Sequence, residues 1–280
     1  MRLAELPESK TYGPIGHCIY CGAEGVALER EHVIPFSLNG QLVLREASCV
    51  CCRDEIKTYE SDVLNWTYLQ ARTFLGLQVY NPRYRAKDLR LGAFRETVPL
   101  VGEDFRWQPL PVEDHPATVM GIQFAEPGIL SSRARTTDFQ VIGINAHLLN
   151  GPPPSRIEAT GERAANFVRF APQNISKFMA KIAHGAAVAE LGEAAFDPLL
   201  REVIRNVDPH ISHLVGSPAR TRWPRRRALH HVMLSQERGF VVAYVQLFAR
   251  YAVPPYLVVV GRPRDPSARR SWRTRAELAP

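Results

Sequence analysis

The sequence predicts an α+β fold in which a small zinc-stabilised module precedes a larger mixed α+β domain. All five cysteines of the 280-residue chain lie between Cys18 and Cys52. The residues after them alternate between strand-like and helix-like patterns, and no apolar run reaches the length of a bilayer-spanning helix. We expect the module to span residues 1–80 and the domain residues 81–262. Residues 263–280 form a basic tail, either disordered or in contact with an anionic partner.

The composition is that of a soluble globular protein, with 45% hydrophobic and 22% charged residues. The net charge of +7 favours an anionic partner, and we expect nucleic acid in that role. The first ten residues mix charged side chains with Pro7 and lack the order of a targeting leader. Cysteines gathered in one segment are typical of a metal site in a reducing compartment. We therefore expect a cytoplasmic protein with no membrane segment.

The first half of the module reads as a zinc knuckle followed by a β-hairpin. Cys18–Gly22 is the knuckle, because a glycine after the second cysteine lets backbone amides turn toward the thiolates. Residues 26–35 mix apolar and charged side chains as a strand does, and Asn39-Gly40 is a strong signal for a two-residue turn. Residues 41–44 alternate polar and apolar side chains and form the returning strand.

The second half of the module reads as another knuckle and a helix. Cys49–Cys52 repeats the Cys-x-x-Cys spacing, and apolar residues then recur every three to four positions as far as Leu77. Gly76 is expected to end this helix. Residues 1–16, interrupted by prolines and a glycine, are expected to be an irregular lead-in. The resulting order is knuckle, strand, turn, strand, knuckle, helix, which is a ββα arrangement.

The larger domain is predicted from strand-like and helix-like segments separated by turn residues. Its expected strands are 96–101, 118–124, 139–144, 230–234, 240–247 and 256–260. Its expected helices are 172–191 and 196–207, and the glycine and three prolines of residues 151–154 mark a linker between the first sheet and the first helix.

The two Cys-x-x-Cys pairs supply four thiolates to one tetrahedral zinc ion. The matched spacing selects Cys18, Cys21, Cys49 and Cys52 as the ligands. Cys51 is then a small buried residue or a free thiol, although the spacing also leaves Cys51 open as a ligand. A zinc ion with four protein ligands has no open position. Its role is therefore structural, and a hydrolytic reaction requires other groups.

A Glu-His dipeptide, Glu31-His32, lies between the two knuckles. A neutral imidazole can take a proton from water near physiological pH, and a carboxylate suits a hard divalent ion. Hydrolysis of a phosphodiester needs both an activated water and a cation. Neighbouring residues on a strand point to opposite faces, so the two side chains share one site only where the strand bends or ends. Pro35 makes such a bend plausible.

These features together resemble the HNH endonucleases of the ββα-metal class. The matching positions are Cys18, Cys21, Glu31-His32-Val33-Ile34-Pro35, Asn39-Gly40, Cys49 and Cys52, and the resemblance covers about residues 15–65. It implies that the protein hydrolyses phosphodiester bonds in DNA, with His32 as the general base. It further implies that Glu31 is a ligand of a catalytic Mg²⁺ or Mn²⁺ ion and that the four cysteines hold structural zinc.

The sequence departs from the HNH pattern at two places. Residues 44–48 contain no asparagine before the second knuckle, and Arg53 stands where Asn or His is common. The catalytic ion therefore lacks its expected later ligand. Glu46, Asp54 and Glu60 are the carboxylates that can replace it, and we select Glu60 because two helical turns bring it round to the face of the helix that carries its apolar residues.

Basic residues in two regions are candidates for phosphate contacts. Arg53 and Lys57 lie at the start of the module's helix, and Arg225, Arg226 and Arg227 follow Trp223, an aromatic residue that can stack on a base. The remaining histidines near apolar segments, His184, His230 and His231, are read as structural, and His210 and His213 are left unassigned. A function of a different class fits the same residues: a zinc-stabilised nucleic-acid-binding or adaptor protein without hydrolysis.

Overall fold

The computed structural model describes residues 2–78, 88–94, 106–150, 163–165, 168–219 and 223–265. It confirms an α+β fold with several sheets and few helices. The expected strand at 96–101, the linker at 151–154 and all but the first three residues of the 263–280 tail lie outside the described residues. None of the helices in the described ranges is long and apolar enough to cross a membrane.

The described strands, in chain order, are β1 (Arg2–Glu5), β2 (Ser9–Pro14), β3 (Leu28–His32), β4 (Gln41–Cys49), β5 (Asp88–Phe94), β6 (Arg106–Pro111), β7 (Thr118–Phe124), β8 (Val141–Leu148), β9 (Arg163–Ala165), β10 (Phe196–Pro198), β11 (Val215–Gly216), β12 (His231–Glu237), β13 (Phe240–Gln246) and β14 (Tyr256–Pro263). The described α-helices are α1 (Val50–Asp62), α2 (Leu69–Phe74), α3 (Pro172–Leu191) and α4 (Arg201–Ile204).

The largest sheet has the order β1-β12-β13-β14-β10, with β11 also paired to β14. Its pairs are antiparallel, and β12 and β13 form a hairpin whose two turn residues, Arg238 and Gly239, both have positive φ. That geometry matches the right-handed twist of the flanking strands. Strands β13 and β14 are almost entirely buried because α3 packs against them. The three expected C-terminal strands are therefore confirmed.

Helix α3 lies between this sheet and the N-terminal module. It begins with Pro172, whose fixed φ suits the first helical turn, and it matches the predicted bounds. Thirteen of its 20 residues are buried, since one side contacts β13 and β14 and another contacts α1. Gly185 of α3 faces Val33, the residue after β3, and a Cβ there would lie in ordinary contact, 3.6 Å from the Val33 side chain.

The module has the predicted ββα order. Strand β4 pairs with β3 on one side and with β2 on the other, and α1 starts directly after β4. Residues 45–47 bulge out of the β3–β4 ladder, with Glu46 at φ 50°, and their carbonyls accept amides from Ile15, Gly16 and Ile19. The bulge therefore ties the first knuckle to β4.

The irregular lead-in predicted for residues 1–16 is wrong. Strand β1 pairs with β12 of the largest sheet, and β2 runs parallel to β4. Both strands are short, and Pro7, Gly13 and Pro14 interrupt the alternation of polar and apolar residues by which a strand is recognised in a sequence. Their backbone partners come from distant parts of the chain. The buried core includes residues of both the module and the C-terminal sheet, and the boundary at residue 80 stays a prediction.

The tight turn predicted at Asn39-Gly40 is replaced by a longer loop. Residues Phe36–Leu38 form a 3₁₀ turn, and Asn39 ends it in the left-handed region with φ 60°. Gly40 then passes so close to the backbone that a Cβ there would lie 1.8 Å from the carbonyl oxygen of Ile34. The glycine is thus required by close packing and not by a two-residue hairpin turn.

Two predicted helices also differ from the structure. The helix expected to run from the second knuckle to Gly76 is interrupted by a π-helical turn at Val63–Thr67, which separates α1 from α2. The helix expected at residues 196–207 is wrong at its start, where β10 pairs with β14, and only the one-turn helix α4 follows. Pro198 opposes a continuous helix there.

Candidate metal centre and adjoining cleft

The four predicted zinc ligands come together at the start of α1. Cys18 and Cys21 lie in the turn before β3, while Cys49 ends β4 and Cys52 lies in the first turn of α1. Their sulfur atoms all lie within 4.8 Å of one another. A Zn–S bond of about 2.3 Å in a tetrahedron places the sulfurs about 3.8 Å apart, and the Sγ atoms of Cys21 and Cys49 are separated by 3.7 Å. The cluster therefore fits a zinc ion.

Cys51 does not belong to this cluster. Its side chain is exposed, so the expectation of a small buried residue is wrong, and its sulfur lies 3.9 Å from the carboxylate of Glu55. Within the cluster, burial raises the pKa of the Cys21 and Cys52 thiols, whereas at Cys49 hydrogen bonds from the Cys52 amide and from neighbouring thiols outweigh burial and lower the pKa below its usual value. A lowered pKa favours the thiolate form that binds metal.

Hydrogen bonds join the first knuckle, Cys18–Gly22, to helices α3 and α4. The carbonyl oxygen of Ile19, next to Cys18, accepts from Nε of Arg201 at 3.1 Å and from Nε2 of His184 at 2.8 Å. His184 is buried in α3, as predicted, and the expectation of a structural histidine is confirmed. Such contacts orient the knuckle independently of the thiolates.

A cleft of about 1150 Å³ opens beside the metal centre. It lies between the end of β3, the 3₁₀ turn and helix α1, with α3 at its floor. The predicted residues Glu31, His32, Arg53, Lys57 and Glu60 all line this cleft, together with Arg30, Arg72 and Lys181. Of the other candidates in the described residues, Glu46, Asp54, Arg225, Arg226 and Arg227 do not line it.

His32, the last residue of β3, is half-buried at the cleft. Its Nδ1 lies 3.3 Å from the carbonyl oxygen of Gly40, so Nδ1 carries the proton and Nε2 is left with its lone pair. The ring also meets the edge of Phe36 with centroids 5.8 Å apart. Burial, reinforced by Lys181 and Arg30, lowers the pKa of His32 below its ordinary value, so the ring is neutral near pH 7.

Glu31 and Glu60 meet at a buried lysine that the sequence reasoning missed. Lys181 of α3 is 2% exposed, and its Nζ lies 2.6 Å from Glu31 Oε1 and 3.5 Å from Glu60 Oε2. Burial would lower the pKa of Lys181, but the two carboxylates outweigh it and hold the pKa above its usual value. The sequence did carry a signal for this buried charge, because Lys181 lies three residues after Phe178, on the apolar stripe of the predicted helix.

In this arrangement the two carboxylates fit an ammonium group. A hard divalent ion shared by Glu31 and Glu60 would lie against the positive charge of Lys181, which opposes its binding. The carboxyl group of Glu31 is itself buried, and burial raises its pKa, an effect that Lys181 partly offsets. The Mg²⁺ or Mn²⁺ ion expected from the resemblance stays a prediction.

The basic residues of the cleft differ in how firmly they are paired. Arg53 donates two hydrogen bonds to the carboxylate of Glu29, at 2.7 and 2.8 Å, and also binds Asp54. Arg72 instead donates to the backbone carbonyls of Ser37, at 3.0 Å, and Leu64, at 2.9 Å. No carboxylate of the described residues forms an ion pair with Arg72, so Arg72 is better placed than Arg53 for an incoming phosphate.

The second basic group lies apart from this cleft. Arg225, Arg226 and Arg227 are exposed, and the carbonyl of Arg227 accepts hydrogen bonds from Arg250. His230 donates from Nε2 to the carbonyl of Leu38 at 2.8 Å, which confirms a structural role for it. Two of the other histidines named above pair with acids, His231 with Glu5 and His210 with Asp208.

Comparison of the chain with models of protein families, with characterised proteins and with solved structures finds no match. The likeness to HNH endonucleases therefore depends on the residues and geometry described above.

Proposed function

We propose that the cleft beside the cysteine cluster binds nucleic acid and hydrolyses its phosphodiester bonds, with DNA as the substrate. In this proposal the four cysteines hold a structural zinc ion that fixes the ββα module. His32 is the general base. A reducing compartment keeps the thiolates available for metal, and we extend the proposal to a cytoplasmic location.

The observation that carries the proposal is the position of His32 in an open cleft with one ring nitrogen already bonded. The carbonyl of Gly40 holds the Nδ1 proton, so Nε2 is the nitrogen that can accept a proton from water. The lowered pKa of His32 keeps that nitrogen unprotonated near neutral pH. A general base needs both properties.

The charge of the cleft supports a phosphodiester as the ligand. Arg30, Arg53, Lys57 and Arg72 line it, and Arg72 carries a guanidinium without an ion-pair partner in the described chain. Phosphate oxygens match the donor geometry of arginine. These groups can bind a backbone phosphate and stabilise the charge that develops on it during attack.

One observation favours a second candidate, a zinc-stabilised nucleic-acid-binding protein without hydrolysis. The carboxylates expected to hold a catalytic ion are engaged by Lys181. In that case the basic cleft would bind nucleic acid, and His32 would serve only to anchor the loop through Gly40.

A plasmid-cleavage assay separates these two functions. Zinc-loaded protein is incubated with supercoiled DNA in metal-free buffer, with Mg²⁺ or with Mn²⁺, as wild type, His32→Ala and His210→Ala. Removing the base should lower the cleavage rate by about 100-fold or more, while His210, outside the cleft, serves as the matched control. Absence of cleavage by wild type in every condition, or equal cleavage by wild type and His32→Ala, would refute the hydrolytic function. Retained DNA binding would then support the second candidate.

A further inference from the structure

The ammonium group of Lys181 lies among three oxygens that come from two elements, β3 and α1. It lies 2.6 Å from a carboxylate oxygen of Glu31, 3.5 Å from one of Glu60 and 2.5 Å from the carbonyl oxygen of His32. The contacts with Glu31 and with the His32 carbonyl are at hydrogen-bond distance, and Glu60 adds a longer ion pair. Oxygen ligands of this kind would equally suit a small hard cation.

Lys181 is held in this position by the packing of its helix. Its neighbours Phe178 and Ile182 are fully buried, and Gly185, about one turn further along α3, faces Val33 just after β3. The side chain is 2% exposed although it lines the cleft, because its ammonium lies against Glu31, Glu60 and the backbone of His32. The positive charge is therefore a permanent part of the cleft floor.

We propose that Lys181 is the resident cation of the cleft: it occupies the position between Glu31 and Glu60 that a divalent ion would take, and so keeps such an ion away from this carboxylate pair. The inference rests on the proposed function for the statement that a phosphodiester enters the cleft. It changes that function in one respect: no divalent ion at this carboxylate pair supplies positive charge to the phosphate, and that role is left to the other basic side chains that line the cleft, Arg30, Arg53, Lys57 and Arg72.

Lys181 also acts as a positioning residue for His32. The ammonium binds the backbone carbonyl of His32, while the ring of His32 binds the carbonyl of Gly40. Lys181 of α3 thus holds the main chain of His32, and the carbonyl of Gly40 holds its ring. A divalent ion at the same place would interact with the carboxylates but would also have to displace the bond to the backbone.

Manganese binding to the zinc-loaded full-length protein, followed by electron paramagnetic resonance without DNA, tests the inference. Wild type should show no site in the cleft that saturates below about 1 mM Mn²⁺. Lys181→Met removes the competing charge and should bind Mn²⁺ at least about tenfold more tightly. The gain should disappear in Lys181→Met/Glu31→Gln. Lys177→Met removes a lysine of the same helix that bonds Asn206 outside the cleft, and it should leave Mn²⁺ binding unchanged.

Two results would overturn the inference. One is a tight Mn²⁺ site in wild type that is lost in Glu60→Gln; the other is a folded Lys181→Met protein with unchanged Mn²⁺ affinity. Circular dichroism and zinc content establish that each variant is folded. If Lys181→Met does not fold, the Mn²⁺ affinities of wild type and Glu60→Gln still test whether a divalent ion binds at this carboxylate pair. Because the readout is cation binding, a protein that fails to cleave DNA can still support this inference, and a metal-dependent nuclease can still refute it.

Discussion

Replacing His184 with glutamine is expected to make the protein less sensitive to acid. The imidazole of His184 is fully buried, and its Nε2 lies 2.8 Å from the carbonyl oxygen of Ile19. Its Nδ1 has no hydrogen-bond partner, so a second proton would place an unpaired charge in the core. Burial accordingly lowers the pKa of His184 to about 4 from its usual value of 6.5. A glutamine amide can keep the bond to Ile19 and has no group that titrates in this range.

The direction and size of the effect follow from these two pKa values. Between pH 6.5 and pH 4 the unfolded chain binds a proton at His184 that the folded chain does not bind. The free energy of unfolding therefore falls as the pH falls, by up to about 1.4 kcal/mol per pH unit. At pH 5 the accumulated loss is about 2 kcal/mol, and below pH 4 it levels off at about 3.4 kcal/mol. Above pH 6.5 His184 makes no pH-dependent contribution.

Urea unfolding of zinc-loaded wild type and His184→Gln at pH 7.5 and pH 5 measures the effect. The cysteine thiolates also take up protons in acid, but this contribution is common to both proteins and cancels when the two losses are subtracted. Wild type should lose about 2 kcal/mol more than the variant between the two pH values. Equal losses within about 0.5 kcal/mol would show that the buried ring does not resist protonation. His210→Gln, whose ring pairs with Asp208, is the control for a histidine outside the core.

Two further predictions concern the metal centre and the loop after β3. Cys49→Ser should lose zinc and lower the thermal midpoint, since structural zinc supplies folding energy; Cys51→Ser, outside the cluster, should keep one zinc per chain by atomic absorption. A Cys49→Ser protein with full zinc content would contradict the assignment. Gly40→Ala should cost about 1–3 kcal/mol in urea unfolding, because its Cβ would meet the Ile34 carbonyl at 1.8 Å. Gly13→Ala, with open space around it, should change little, and equal stability of the two variants would refute the packing argument.

The zinc cluster was predictable because its evidence is local. Four cysteines at matched spacing specify a metal site whatever the rest of the chain does, and the same segment carries the turn and helix signals of the ββα order. His32 and Glu60 were found for a related reason. Both lie within thirty residues of the knuckles, on elements that the pattern predicts, so their approach to one cleft follows from the ββα order.

Features that depend on distant partners were not predictable in the same way. Strand β1 has only four residues, and nothing in them indicates β12 as its partner. Lys181 reads as one polar residue in an apolar helix until the structure shows Glu31 opposite it. The prediction of a two-residue turn at Asn39-Gly40 was wrong for a different reason. Asn39 does adopt the left-handed conformation that such a turn requires, but it does so at the end of a 3₁₀ turn. The local preference of Asn39 for a left-handed conformation was therefore predicted correctly, but the length of the loop that contains Asn39 was not.

The pairing of β1 with β12 has a consequence for the order of folding. Glu5 is made before its partner Met233 by more than two hundred residues, an interval of roughly 10 to 50 s at ordinary rates of synthesis. During that interval the knuckles can close around zinc, since their ligands are all present by residue 52. The edge of β1 has no partner until the β12–β13 hairpin emerges. A nascent chain stalled between residues 52 and 230 is therefore expected to hold metal with its first strand still free, open to pairing with another chain.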